Sequence, residues 1–178
     1  MRIVSGKYRH RLISYPNTNL TRPTMDRVRE ALMSAIGTNI YNKDVLDLFA
    51  GSGALGLESL SRGAKSCYFI DNNIDAINVI NENIKKLNVN EETHVIYSSY
   101  KDFLLKHVDL KFSLVFLDPP YKNKDVYDEI ISFMKENNML SENVIMVLES
   151  DEELGTKEDF KTYRHYRYGT VHVNIYWR

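Results

Sequence analysis

The chain has 178 residues, 43% of them hydrophobic, and a formal net charge of −1; these proportions suit one globular domain with an ordinary core. No apolar run approaches the ~20 residues of a membrane-spanning helix, and the basic start lacks the apolar core of a signal peptide. The lone Cys67 excludes an intrachain disulfide and any cysteine-based zinc site, and His10, His94, His107, His165 and His172 fall at no metal-ligand spacing with Asp or Glu. The expectation is a cytoplasmic monomer with no metal.

Charge is spread unevenly. Residues 1–30 carry seven basic side chains (Arg2, Lys7, Arg9, Arg11, Arg22, Arg27 and Arg29) against Asp26 and Glu30, a balance of +5 that leaves −6 for the rest. A basic end on a mildly acidic body fits a footprint for phosphates; a solvated tail fits the same numbers.

Residues 2–14 alternate loosely about Gly6-Lys7, which predicts a small hairpin. Asn17 to Pro23 reads as a loop. Pro23-Thr24 then opens a helix to about Ile36, with Val28, Leu32, Ala35 and Ile36 on one face and Gly37 past its end. From Asp44 strands and helices alternate, with strands at 44–49, 66–71, 93–97, 112–117 and 143–149 and helices at 53–62, 73–88, 100–106 and 125–137. Ile77, Ile80, Ile84 and Leu87 repeat at helical spacing. The strands are short and almost continuously apolar, as in a sheet covered on both faces. The expected fold is α/β, a doubly wound Rossmann-like sheet, mostly parallel. Phe160–Tyr168 and Val171–Trp177, joined at Gly169-Thr170, predict a hairpin that adds an antiparallel closing strand. The whole chain reads as one domain, with residues 1–23 an extension and 24–178 the core.

Two loops carry the chemistry. The first, Gly51-x-Gly53-x-x-Gly56, follows a strand and opens a helix, where glycines permit tight turning and close approach of a ligand. Asp71 ends the next strand, a place from which a carboxylate accepts hydrogen bonds from ribose hydroxyls. A dinucleotide would set its pyrophosphate on the helix start; S-adenosylmethionine has no phosphate and lays its methionine end along the turn. Asp47, just before the turn, favours the second, because a carboxylate repels pyrophosphate and suits an ammonium or sulfonium.

The second loop, Asp118-Pro119-Pro120-Tyr121, ends the run Phe112 to Leu117. With strand order 3-2-1-4-5, strands 1 and 4 are neighbours and both loops face one crevice. An exocyclic base amine is a poor nucleophile because its lone pair is delocalised. Asp118 and the Pro119 carbonyl supply two acceptors for its protons, Pro120 restricts Pro119 to an extended conformation, and Tyr121 offers a stacking face worth on the order of 1–3 kcal/mol.

With these residues in place the chain resembles class I S-adenosylmethionine-dependent amino methyltransferases, and most closely the bacterial 16S ribosomal RNA guanine-N2 methyltransferases of the RsmD type. The likeness spans nearly the whole chain: Met1 to Tyr8, Arg22-Pro-Thr-Met-Asp-Arg-Val-Arg-Glu-Ala-Leu32, Leu46 to Glu58, Ser61 to Ala64, Phe116 to Tyr121 and the closing Tyr168-Gly169 hairpin. The resemblance implies that Asp47, Phe49, Gly51, Ser52, Gly53, Asp71 and Asn72 line the cofactor site. It implies that Asp118, Pro119 and Tyr121 hold the target guanine, and that Arg9, Arg11, Arg22, Thr24 and Arg27 meet RNA, as naked 16S RNA or within the 30S subunit. One feature departs from the pattern. Many relatives carry an acid after the third strand to bind the adenine amine, whereas here Tyr97-Ser98-Ser99-Tyr100 precedes the first acid, Asp102. Ser99 and Tyr100 are the candidates for that contact.

Three rivals share parts of this pattern: a DNA adenine methyltransferase, which generally needs a target-recognition region that 178 residues leave little room for, a ribosome-assembly module without catalysis, and a nicotinamide oxidoreductase, which generally needs a substrate domain. Cys67, Tyr176 and Trp177 read as packing residues, and Asp151-Glu152-Glu153 as a solvated loop.

Overall fold

The computed structural model describes residues 1–16, 26–120 and 124–178, the side chains of Asp26 and Arg27 excepted. Seven strands form one sheet: β1 (Asp44–Asp47), β2 (Ser66–Asp71), β3 (Thr93–Tyr97), β4 (Phe112–Leu117), β5 (Leu140–Ser150), β6 (Thr162–Tyr168) and β7 (Val171–Trp177). Their order is β3-β2-β1-β4-β5-β7-β6. The first five are parallel, and β7 runs antiparallel to β5 and to β6. The expected 3-2-1-4-5 order and the closing hairpin are both present.

Five helices cover the sheet: α1 (Asp26–Ile36), α2 (Ala54–Ser61), α3 (Ile74–Leu87), α4 (Tyr100–Lys106) and α5 (Lys124–Glu136). The central strands bury both faces, so their side chains alternate between two cores. Val45, Leu114, Phe116, Ile145 and Val147 join α1, α2 and α3 on one side. Leu46, Val115, Met146 and Leu148 join α4 and α5 on the other. Such burial, at roughly 25 cal/mol per Å2 of apolar surface, makes these strands the rigid platform of the molecule.

Helix ends follow local chemistry. The Asn73 side chain accepts from the Asp75 amide, and Asn88 closes α3 in the left-handed region at φ 58°. The Ser99 hydroxyl accepts from the Asp102 amide at 3.1 Å and starts α4. The predicted helix start at Pro23-Thr24 lies outside the described residues. Val28, Leu32 and Ile36 are buried as expected, but the chain does not stop at Gly37: it tightens into a 3-10 turn, Gly37–Ile40, that buries Ile40. The fifth strand begins at Leu140, three residues earlier than predicted, because a register shift between Phe112 and Leu114 lets β5 pair with β4 at both ends.

The expected small amino-terminal hairpin is present: Arg2 and Leu12 form an antiparallel bridge, flanked by hydrogen bonds from the Ile3 amide to the Arg11 carbonyl at 2.9 Å, from the His10 amide to the Ile3 carbonyl at 2.9 Å and from the Ile13 amide to the Met1 carbonyl at 3.1 Å. Ile3 and Ile13 are buried, and the intervening turn is also held by the body. Val4 and Ser5 amides donate to the Glu58 carboxylate at 2.8 and 3.0 Å, and the Lys7 and Tyr8 amides donate to Ser61.

Candidate active site

The crevice lies at the carboxy ends of β1, β2, β3 and β4. The chain leaving β1 is tied to both neighbouring strands: the Leu48 amide donates to the Phe116 carbonyl of β4 at 3.2 Å, and Ala50 to the Ile70 carbonyl of β2 at 2.9 Å. The turn then closes on itself, Gly53 amide to Ala50 carbonyl at 2.7 Å. Gly53 sits at φ 75° with Phe69 and Ile80 packed beneath it, a conformation that side chains rarely adopt. Gly56 serves a different purpose. A Cβ there would stand 2.3 Å from the Phe69 ring and 2.5 Å from Cys67 sulfur, so its absence lets α2 lie flat on β2.

Asp47 is 3% exposed and accepts from the Gly56 amide at 3.2 Å. Burial, with a smaller push from the Asp71 carboxylate and against the Gly56 hydrogen bond, moves its carboxyl up to about 7. Asp71 is engaged on both oxygens, one accepting from the Gly51 amide and one from the Asn73 amide, each at 2.8 Å. It therefore braces the glycine turn; each oxygen keeps a second lone pair for a ligand hydroxyl. A Cβ at Gly51 would meet nothing within 4 Å, so the turn is open on that side. Ser52 is buried, and Asn72 is exposed beside Asp71. Phe49 and Tyr100 bring the first and third loops together, ring centroids 5.4 Å apart and tilted 51°. The Ser99 hydroxyl, besides accepting the Asp102 amide, lies 2.7 Å from the Asp102 carboxylate and donates to it.

Asp118 follows β4 directly and is half-exposed, with Pro119 buried behind it and Pro120 exposed. Tyr127 of α5 lies close. Burial first, and then the Asp118 carboxylate, push its phenol up, while its hydroxyl donates to the Glu149 carbonyl at 2.6 Å. Asp47, Gly51, Asp71, Phe49, Tyr100 and Asp118 thus occupy adjoining strand ends. Tyr121, Arg22 and Thr24 lie outside the described residues, as does the Arg27 side chain. Arg9 and Arg11 are exposed on the arm, where Arg11 donates to the Lys86 carbonyl at 2.6 Å.

Three residues that the sequence reading passed over build the support. Arg29, counted above in a basic footprint, is fully buried, donates to the Arg2 carbonyl and pairs with Glu58 at 3.7 Å. Glu58 also receives Arg62 at 3.0 Å. Asn83 is fully buried; its carbonyl oxygen accepts from the Ser14 amide at 2.7 Å, and its amide donates to the carbonyls of Ser14 at 2.9 Å and Ser52 at 3.1 Å. One side chain thereby joins the arm to the cofactor turn. The signals were present: a charged residue inside the apolar stretch Ala54–Ser61, and an asparagine three residues after Ile80 on the apolar face of its helix.

The family model described as conserved hypothetical protein 95 matches residues 1–177. The chain is 35% identical to ribosomal RNA small subunit methyltransferase D of Haemophilus influenzae, covering 99% of this chain and 93% of that protein. The chain belongs to the RsmD family of methyltransferases. A solved methyltransferase structure, yhhF from Escherichia coli, superposes with a TM-score of 0.88 at 31% identity, covering 100% of this chain and 97% of that one. A more distant fold relative is the Thermus thermophilus 16S rRNA N2 G1207 methyltransferase, solved with AdoMet and guanosine: TM-score 0.69, 18% identity, 91% of this chain and 44% of that one. At that identity the likeness is one of fold. Among the described residues no group of three or more His, Cys, Asp or Glu could hold a metal ion, and no helix is long and apolar enough to cross a membrane.

Proposed function

We propose that this RsmD-family protein transfers a methyl group from S-adenosylmethionine to the exocyclic N2 of a guanine in 16S ribosomal RNA. The observation that carries the reading is the meeting of Asp118-Pro119, at the end of β4, with the glycine turn at the end of the adjacent β1.

The cofactor fits the residues present. Asp47 is a buried carboxylate that no cation among the described residues neutralises: burial and the Asp71 carboxylate push it up and only the Gly56 amide opposes them, and the amino acid end of S-adenosylmethionine brings an ammonium. The open side of Gly51 accepts a ligand at backbone distance. Asp71 takes ribose hydroxyls on its remaining lone pairs, and the adenine lies by Phe49 and Tyr100. S-adenosylmethionine bound there supplies an electrophilic methyl group on a sulfonium. Asp118 and the Pro119 carbonyl then hold the two protons of the guanine amine, favour a pyramidal nitrogen and aim its lone pair into the crevice. In-line positioning supplies much of the rate. Asp118 takes up the proton released after transfer. Tyr121 stacks on the base, which must leave its helix to reach the pocket, and the arm with Arg9, Arg11, Arg22, Thr24 and Arg27 meets the RNA.

Calorimetry with S-adenosylhomocysteine and with NAD tests the cofactor half of this reading. Binding of the first and none of the second is expected; the reverse would discard it. Asp118→Ala is expected to keep S-adenosylhomocysteine affinity and lose turnover, and unchanged turnover would remove Asp118 from the mechanism.

A further inference from the structure

We infer that the outer strand of the carboxy-terminal hairpin, β6, and its tip form a second contact surface for the RNA backbone, apart from the amino-terminal arm. The inference rests on the RNA reading above and extends it to residues with no part in the transfer itself.

Four observations carry it. Residues 161–178 contain Lys161, Arg164, Arg167 and Arg178 and no Asp or Glu, on a chain whose overall charge is −1. β6 is the edge of the sheet, and Arg164 and Arg167 are exposed on it. Neither arginine pairs with a carboxylate among the described residues: Arg164 lies over the Trp177 ring at 5.3 Å, and the Arg167 Nε donates to the Gly169 carbonyl at 3.1 Å. The Glu153 carboxylate is nearby but is directed to His165, at 3.5 Å, and to Tyr163.

Register supplies the geometry. Ser150, at the carboxy end of β5, faces His172, which in turn faces Arg167. The tip at Tyr168-Gly169-Thr170 therefore lies at the same end of the strands as Asp118. β4 and β6 are separated by three strand spacings, roughly 14 Å, a span that one bound RNA segment can cross. Arg164, Tyr166 and Tyr168 oppose Ile175, Val173 and Val171 and so point to the α1 side, the side that also carries the arm. Arg167, opposite His172, points to the other face next to the tip, so the surface wraps around the edge strand. Basic side chains interleaved with half-exposed tyrosines suit phosphate contacts and stacking on bases. Charges on an edge strand also deter edge-to-edge pairing, a role that would leave RNA affinity untouched.

The experiment measures binding of 16S ribosomal RNA over a range of salt for the wild type, Arg164→Ala/Arg167→Ala and Arg164→Lys/Arg167→Lys. The alanine variant is expected to bind more weakly and to lose about one unit of log–log salt slope per arginine. Its S-adenosylhomocysteine affinity and thermal midpoint should stay at wild-type values. The lysine variant, which keeps the charge, should retain the wild-type slope. A wild-type slope in the alanine variant would overturn the inference and leave the methyltransferase reading standing. So would a slope lost equally in both variants, or dimerisation through β6 with unchanged RNA affinity. Salt-independent RNA binding by the wild type would overturn the RNA reading itself.

Discussion

Asp47→Asn separates the cost of the buried carboxylate from its use. In the cofactor-free protein Asp47 is pushed from 3.8 up to about 7. A rise of that size means that ionising Asp47 costs the native state about 4 kcal/mol. Because the folded pKa lies above the unfolded one, the native state holds the extra proton between these values. The associated stability is complete below the unfolded pKa and is lost as pH climbs through about 7. Within that window the loss approaches about 1.4 kcal/mol per pH unit, or about 2 kcal/mol between about pH 5 and pH 6.5. Chemical denaturation of wild type and Asp47→Asn at several pH values reads this directly, since the asparagine variant lacks the titration and the difference between the two curves isolates it. Cofactor binding should show the opposite trend. If the ammonium of S-adenosylhomocysteine requires ionised Asp47, wild-type affinity should rise about tenfold from pH 6 to pH 8, with the asparagine variant weak and flat. Parallel stability curves for the two proteins would refute the reasoning about burial; a pH-independent wild-type affinity would refute the ammonium contact.

Other substitutions probe the supports. Asn83→Ala removes a buried amide that serves Ser14 and Ser52, and should cost about 2 kcal/mol or more of stability and weaken S-adenosylhomocysteine binding in calorimetry. Wild-type cofactor affinity would show that Asn83 does not hold the turn. Glu58→Gln removes the buried carboxylate that Arg29, Arg62 and the Val4 and Ser5 amides share and should destabilise by about 2 kcal/mol or more in urea titration; a loss under about 1 kcal/mol, typical of exposed pairs, would show that the carboxylate charge is not needed. Gly56→Ala drives a methyl into Phe69 and Cys67, with an expected loss of about 1–3 kcal/mol that thermal melting would detect; an unchanged melting point would mean that α2 can shift away at no cost.

The sheet was legible because its signals are local. Apolar runs such as Phe112 to Leu117 mark strands buried on both faces, and Gly169-Thr170 between two alternating stretches marks a hairpin. The two chemical loops were legible because their spacing within a doubly wound order brings them together. The supports were harder to read. Whether Arg29 of α1 is a footprint or a core charge depends on Glu58 of α2, beyond the intervening β1, and no pattern along the chain reports such a pairing. The bracing by Asp71 was missed for a similar reason: its partner is the Gly51 backbone amide, which any residue but proline supplies. The small hairpin of residues 2–14 was legible from its loose alternation about Gly6-Lys7, but its anchorage was not: Ile3 and Ile13 are set into the body, and the turn between them is tied to Glu58 and Ser61.

The most direct test offers the protein methyl-labelled S-adenosylmethionine with undermethylated 30S particles, naked 16S RNA and duplex DNA, followed by nucleoside analysis. Label in N2-methylguanine from the 30S particle or the 16S RNA is the predicted result. Label in N6-methyladenine from DNA, or no label in any RNA while the cofactor binds, would contradict the account.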